Sequence, residues 1–561
     1  MKSYLTTLFL FFGLLLNAQG KYSDLTQQAV NLKWNAKNDS DNKTALDLLE
    51  KAFLIYPDSL TGSDIHEASL LSAELNLSDK AFKYLNMLLK IKFETDGYPT
   101  WHYIVGNTSL NDYKNLHTDS RWNFIKKQAL SNKNQFFDDL LVKEKEFYNR
   151  NEESLTQIKK PKDLFKALKN YNPYKEKKER DYSIIFNVND SARTSYFIHL
   201  PQNYNPKKKY SLMFFLHGAV RSSEFIDFQL PSWNLESWNR FYTQYADLNE
   251  VILVFPQASK LYNWLILDDG FFMIPEILKQ IKTTINVDDN KVFISGHSNG
   301  GTGSFSYLMK QPTPFAGFYG FNTYPKVFTG GTFVENIKNR SFINFSTDED
   351  YYYPPNANDD FTKLMLEIGA DYQDYRYNGF PHWFPEFDES EPAYQILFDD
   401  LMKRNRNPFP DEIIWEFDDN RYGEIDWISN IKLDTLSSNI KIDQHHNFTI
   451  NKWLNYKNND SLVVENVNKQ AFDFPRKSAK IRAIYENNIF QFQASNVQAF
   501  TINISPEMVN LNKKIQVYVN GKLYFDKKVT YNKVFMLSSF EKNKDRIQLW
   551  VNQITIKINN N

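Results

Sequence analysis

The run Val292-Phe-Ile-Ser-Gly296-His297-Ser298-Asn299-Gly300-Gly301 sets one serine between two glycines. A β-branched and aromatic stretch precedes it, and a helix-compatible stretch, Thr302 to Met309, follows. A serine at such a sharp strand-to-helix turn projects its hydroxyl above the strand end, beside the positive end of the helix. The hydroxyl is a poor nucleophile until a base removes its proton. Between Ser298 and the β-rich C-terminal region the sequence holds a single histidine, His382, in Gly379-Phe-Pro-His382-Trp383. An acid must then fix the imidazole tautomer and stabilise its cation. Asp348, Glu349 and Asp350 follow an expected strand, Ser341 to Phe345, and the residues by themselves leave the choice open.

Acyl transfer also needs two N–H donors aimed at the developing oxyanion. The Asn299 N–H, directly after the nucleophile, is one candidate. The second is expected from Phe214-Phe-Leu-His217-Gly218-Ala219, with the Ala219 N–H as donor, Gly218 shaping the turn and His217 as a structural hydrogen-bonding residue. Trp264, Trp383 and Tyr351 to Tyr353 stand near these loops in sequence and are expected to contact substrate. The chemistry requires no cofactor, and no metal site is expected. His445-His446 reads as a surface pair, because adjacent strand residues point to opposite faces.

Residues from about 195 to 405 resemble exported α/β-hydrolases: feruloyl and acetylxylan esterases and polyhydroxybutyrate depolymerases. The matching pieces are His217-Gly218, Val254-Phe-Pro-Gln-Ala258, Ile285-Asn-Val-Asp288 through Val292-Phe-Ile, Gly296-His-Ser298-Asn-Gly-Gly301 and Gly379-x-x-His382-Trp383. The family's acid commonly precedes an x-x-x-Pro tetrapeptide, so the resemblance implies Asp350, in Asp350-Tyr-Tyr-Tyr-Pro354, rather than Asp348. Where that family usually has a glycine, three residues before the acid, this chain has Thr347. The same core is similar to prolyl-oligopeptidase-like catalytic domains. The resemblance covers about two-fifths of the chain.

The elements that must position these residues follow from periodicity. Short apolar runs at Leu212 to Leu216, Val251 to Phe255, Val292 to Ser295 and Phe342 to Phe345, with helical patterns between several of them, indicate a parallel sheet buried on both faces. Tyr182 to Val188 and Ser195 to Leu200 read as paired strands before it. With the resemblance above, the expected fold is an α/β-hydrolase core over 181–405. Ahead of it, 21–173 reads as a tetratricopeptide-like helical module. Ala45, Leu48, Leu49, Ala52 and Phe53 recur at helical spacing there, as do Ala81, Tyr84, Leu85 and Leu88 after a cap at Ser78-Asp79. Such a module is open to a protein partner. Behind the core, 411–561 reads as an all-β domain, with hairpin turns at Asn487-Asn488 and Asn520-Gly521 and no constellation that carries chemistry.

Composition narrows the function further. Lys plus Arg (66) and Asp plus Glu (67) nearly cancel, so no nucleic-acid partner is expected. The absence of cysteine excludes disulfides, thiolate metal sites, a cysteine nucleophile and a lipoprotein anchor on an N-terminal cysteine. Lys2, the apolar run Leu5 to Leu16 and Ala18-Gln19-Gly20 read as a signal peptide over 1–20, directing export to periplasm or medium. The expected function is hydrolysis of a small or polymer-linked carboxylic ester through an acyl-enzyme. A serine peptidase is the alternative, and a non-catalytic binding protein on a hydrolase scaffold is the second.

Overall fold

The computed structural model describes residues 22–107, 109–152, 154–266, 268–434, 445–457 and 461–558. The expected signal peptide lies outside them. The chain divides into two compact units, 1–143 and 144–561. In the first, the helices Asp39–Ile55, Gly62–Glu74 and Ser78–Lys90 pack in succession. Ala45, Leu49 and Ala52 of one helix, and Ala81, Tyr84, Leu85 and Leu88 of another, are buried at the three- and four-residue steps of an amphipathic helix. Ser78, expected as a cap, is the first helical residue, because Leu77 occupies the cap position. No described helix is long and apolar enough to cross a membrane.

The second unit is built on an eight-stranded sheet. Its strands are β1 (Asp181–Asn187), β2 (Arg193–His199), β3 (Tyr210–Leu216), β4 (Ile252–Pro256), β5 (Val287–Gly296), β6 (Gly317–Phe321), β7 (Ser341–Glu349) and β8 (Tyr372–Pro381), in spatial order 1-2-4-3-5-6-7-8. Strand β2 runs antiparallel to both its neighbours, and the pairs from β4–β3 to β7–β8 are parallel. Alternation along each strand feeds two cores. Leu212, Phe214, Ile252, Val254, Val292, Ile294 and Phe342 face one, while Met213, Leu253, Phe255, Phe293, Ile343 and Phe345 face the other. Helices on both faces bury these residues, as a largely parallel sheet requires. Strand β6, Gly-Phe-Tyr-Gly-Phe, is completely buried and carries no sequence-level strand signal, because its two glycines read as turn residues.

The region after 408 adds β9 (Glu412–Phe417), β10 (Ile428–Leu433), β11 (Thr449–Tyr456), β12 (Leu462–Gln470), β13 (Ala479–Glu486), β14 (Ile489–Ser495), β15 (Val497–Ile504), β16 (Ile515–Val519), β17 (Lys522–Lys527) and β18 (Asn552–Lys557). They form a five-stranded sheet, a three-stranded sheet and the hairpin β11–β12. Asn487, Asn488, Asn520 and Gly521 all take positive φ, as the tight hairpin turns demand. The region is not purely β, however. Lys533–Asn543 is a helix, capped where the Asn532 side chain accepts the Phe535 N–H, and its apolar run gives no clean helical period.

This region shares its core with the eight-stranded sheet: Trp415, Ile481 and Phe490 belong to the same buried cluster as Leu212 and Ile294. Buried charges also cross between them. Asp289 of β5 pairs with Lys282 at 2.7 Å and with Arg546 at 2.9 Å, and Asp545 pairs with Arg406 at 2.8 Å. Burial by itself would raise the Asp545 carboxyl, but Arg406 and Lys282 outweigh it and hold that group below the usual carboxylate range. A carboxyl depressed in the native state stabilises the fold above its unfolded pKa of about 3.9 and loses that contribution as pH falls. Asp545→Ala strips Arg406 of this partner and should cost the 144–561 unit about 3–5 kcal/mol at neutral pH. Urea melts at pH 7 should show the full gap, and melts below about pH 3.9 a narrowing one.

Candidate active site

Ser298 stands between the end of β5 and the helix Asn299–Lys310, at φ 59° and ψ −121°. Such a backbone state is costly for a residue with a Cβ and persists where its surroundings over-determine it. Here they do. The Ser298 N–H donates to the Phe321 carbonyl at 3.0 Å. The helix crosses β3 so closely that a Cβ on Gly300 would lie 1.7 Å from the Leu216 carbonyl oxygen. Every residue of the helix is buried, whereas Ser298 itself stays partly exposed.

His382 follows β8 and Asp350 follows β7, at the same end of the sheet as Ser298. His382 Nδ1 lies 2.8 Å from Asp350 Oδ1, and both side chains are buried. With the carboxylate accepting at Nδ1–H, the lone pair of the imidazole is left on Nε2. Asp350 is held in turn: the Tyr352 N–H donates to Oδ1 at 2.8 Å, and Asn322 Nδ2 donates to Oδ2 at 3.0 Å. Asp348 is committed elsewhere, accepting the Gly379 N–H at 2.7 Å, and Glu349 is exposed. Thr347, where the family pattern has glycine, accepts from Asn322 Nδ2 at 2.7 Å and donates to the Pro381 carbonyl at 3.3 Å. Its hydroxyl therefore joins the acid loop to the His382 loop.

A second brace joins the histidine loop to the serine turn. His297 Nε2–H donates to the His382 carbonyl at 2.7 Å, and the two rings stand 4.9 Å apart. Burial, the charge on His382 when protonated, and little else lower the His297 pKa to about 3, so His297 remains a neutral donor. No hydrogen bond joins Ser298 Oγ to His382 among the described residues; in unliganded enzymes that contact is commonly long and tightens around substrate.

The oxyanion candidates meet across the turn. Ala219 takes φ 53°, and a Cβ on Gly218 would lie 3.2 Å from the Ser298 Cβ, so the loop passes directly over Ser298. Asn299 contributes its side chain as well as its backbone: Oδ1 accepts the Val220 N–H at 3.1 Å, and Nδ2 donates to the Tyr352 hydroxyl at 2.8 Å. His217 is structural, with Nδ1 donating to the Gly218 carbonyl at 2.7 Å and Nε2 accepting the Ala258 N–H at 3.0 Å.

The aromatic expectations divide. Tyr351 lies 5.2 Å from His382, ring to ring, and Trp383 stands beside it at 37% exposure. Trp264 is a correction: it is fully buried and packs against the Cα of Gly303 and the ring of His217, so it supports the turn and cannot touch substrate. Sequence reasoning missed Asn322, the bracing contacts of Tyr352 to Asp350 and Asn299, and the hairpin β11–β12, whose Trp453 Nε1–H donates to the Tyr351 carbonyl at 3.1 Å. Asn322 gave one local signal, a polar residue just after an apolar run; the hairpin gave none, because its contact spans a hundred residues. His445 pairs with Glu416 at 2.8 Å and stacks on Phe474, and no metal-binding cluster occurs among the described residues.

Ser298 thus follows β5, Asp350 follows β7 and His382 follows β8, on a sheet whose second strand alone runs against its neighbours. The core is α/β-hydrolase-like. No protein-family model and no curated protein matches the chain. Among solved structures it is similar to a thermostable esterase, at 23% identity over 40% of this chain and 64% of that chain, with a TM-score of 0.34. It is similar also to a butyrate-bound esterase from the Planctomycetes species Thermogutta terrifontis, at 15% identity over 39% of this chain and 92% of that one, TM-score 0.32. A ferulic acid esterase aligns at 17% identity over 39% and 98%, TM-score 0.32.

Asn322 tests how the Asp350 carboxylate is held. A hydrogen bond to a charged group is worth about 1.5–3 kcal/mol. Asn322→Ala should therefore slow attack by Ser298 on an acyl or phosphonyl electrophile about ten- to a hundredfold, measured as the second-order rate of covalent modification.

Proposed function

We propose that the 144–561 unit is an exported serine hydrolase of carboxylic esters. The observation that carries this reading is a buried Asp350–His382 pair at 2.8 Å, at the same sheet end as a serine held in a strained strand-to-helix turn. His382 Nε2 takes the Ser298 proton as Oγ bonds to the ester carbonyl carbon. The carbonyl oxygen, now an anion, accepts from the N–H groups of Asn299 and Ala219. His382 then passes its proton to the leaving alkoxide as the C–O bond breaks. Water, deprotonated by the same imidazole, attacks the acyl-enzyme and regenerates the serine. Asp350 stabilises the imidazolium in both half-reactions.

The exported location rests on the signal-like first twenty residues. The substrate is a small or polymer-linked ester, and the helices of the first unit are a surface for a protein partner.

Turnover of p-nitrophenyl acetate against that of a proline arylamide tests the bond that is cleaved. The ester should be hydrolysed and the amide left intact; the reverse preference would move the assignment to a peptidase. Asp350→Asn should lower kcat on the ester by roughly 10³–10⁴, the loss expected when the imidazole is held in the wrong tautomer. Undiminished turnover would remove Asp350 from the role.

A further inference from the structure

Strands β11 and β12 form a two-stranded hairpin outside both sheets of the C-terminal region. A hairpin alone is marginally stable in water, so its position depends on what it packs against. Here that is the acid loop. The Trp453 ring lies 5.8 Å from Tyr324 and 6.2 Å from Tyr353. The Lys469 ammonium sits over the Trp453 ring, 4.9 Å from its centroid, and donates to the Tyr324 hydroxyl at 3.1 Å. The indole N–H reaches the Tyr351 carbonyl, one residue from Asp350. Three residues on, Tyr456 meets the Tyr351 ring edge-to-face at 5.3 Å and remains 43% exposed.

Rings therefore run outward from the imidazole in steps: His382 to Tyr351 at 5.2 Å, Tyr351 to Tyr456 at 5.3 Å, with Trp383 6.1 Å from Tyr351 on its flank. Direction matters. If His382 hands a proton to the leaving alkoxide, the alcohol half of the ester departs on the imidazole side, which is the side these rings occupy. Exposed aromatic faces and edges in this spacing offer another ring a stacking contact beyond the burial that an alkyl chain would gain. We propose that the hairpin β11–β12 builds the alcohol subsite of the enzyme. Tyr456 is a specificity-determining residue that selects esters of ring-bearing alcohols, and Trp453 is a positioning residue that holds Tyr351. This assignment rests on the ester-hydrolase reading above and adds to it a role for the C-terminal region.

The test compares kcat/KM for three acetates that share an acyl group: 2-naphthyl acetate, a monoacetylated methyl pyranoside and ethyl acetate. Taking the ratio to ethyl acetate removes effects common to all three. Tyr456→Ala should lower the ratio for at least one ring ester by about three- to tenfold, the scale of one aromatic contact, and whichever ratio falls identifies the ring as aryl or pyranosyl. Tyr456→Phe should restore it. Trp453→Phe, which removes the indole donor and keeps an aromatic ring, should raise KM for that ester more than it lowers kcat. Unchanged ratios in Tyr456→Ala would overturn the subsite while leaving the hydrolase reading intact. Acetate hydrolysis that persists in Ser298→Ala, or that is absent from the unaltered protein, would instead remove the reading on which the subsite rests.

Discussion

The close crossing of one helix over one strand underlies the whole site. Because Gly300 has no Cβ, the helix Asn299–Lys310 can press its first turn against the Leu216 carbonyl. Beside that contact Ser298 occupies a strained backbone state, at φ 59°. Ser298 stays partly exposed there, where the sheet ends and the helix starts. The loop after β3 is set by the same crossing, since Asn299 ties it down through the Val220 N–H. The serine turn and the loop that crosses it thus share one cause.

The second half of the site is held by a chain of polar contacts in place of strain. Asp350 receives the His382 imidazole, the Tyr352 N–H and the Asn322 amide, so its charge is compensated although it is buried. His297 then couples the histidine loop back to the serine turn through the His382 carbonyl. The residue between Gly296 and Ser298 is therefore more than a spacer. Behind this, Asp289 of β5 pairs with Arg546, and Asp545 with Arg406, fastening the C-terminal region to the eight-stranded core, and the shared buried cluster makes the two one body.

Local signals in the sequence were legible because their physics is local. The serine turn, the buried strands and the paired-asparagine hairpin are each specified within about ten residues. His382 stands out by elimination and Asp350 through the tetrapeptide that the family resemblance singles out, and the structure sets these two side chains 2.8 Å apart. What could not be read depends on distant packing. Trp264 is near the site in sequence, yet its indole fills the space beside Gly303 that a side chain there would need. Strand β6 is hidden by its glycines. Asn322 reaches Asp350 because β6 and β7 are neighbours, a fact of topology that no spacing encodes. The hairpin that touches Tyr351 lies about a hundred residues further along the chain, in a region whose own pattern carries no chemistry.

The most direct test of the account is covalent. An alkyl fluorophosphonate should form one adduct on the folded protein, with the Ser298 oxygen bonded to phosphorus and fluoride released, and peptide mass spectrometry should locate it at that residue. His382→Ala should slow its formation by at least a thousandfold while the melting curve stays cooperative, the scale on which removing one member of such a triad acts. An adduct at another residue, or a folded protein in which Ser298 remains unmodified, would contradict the account.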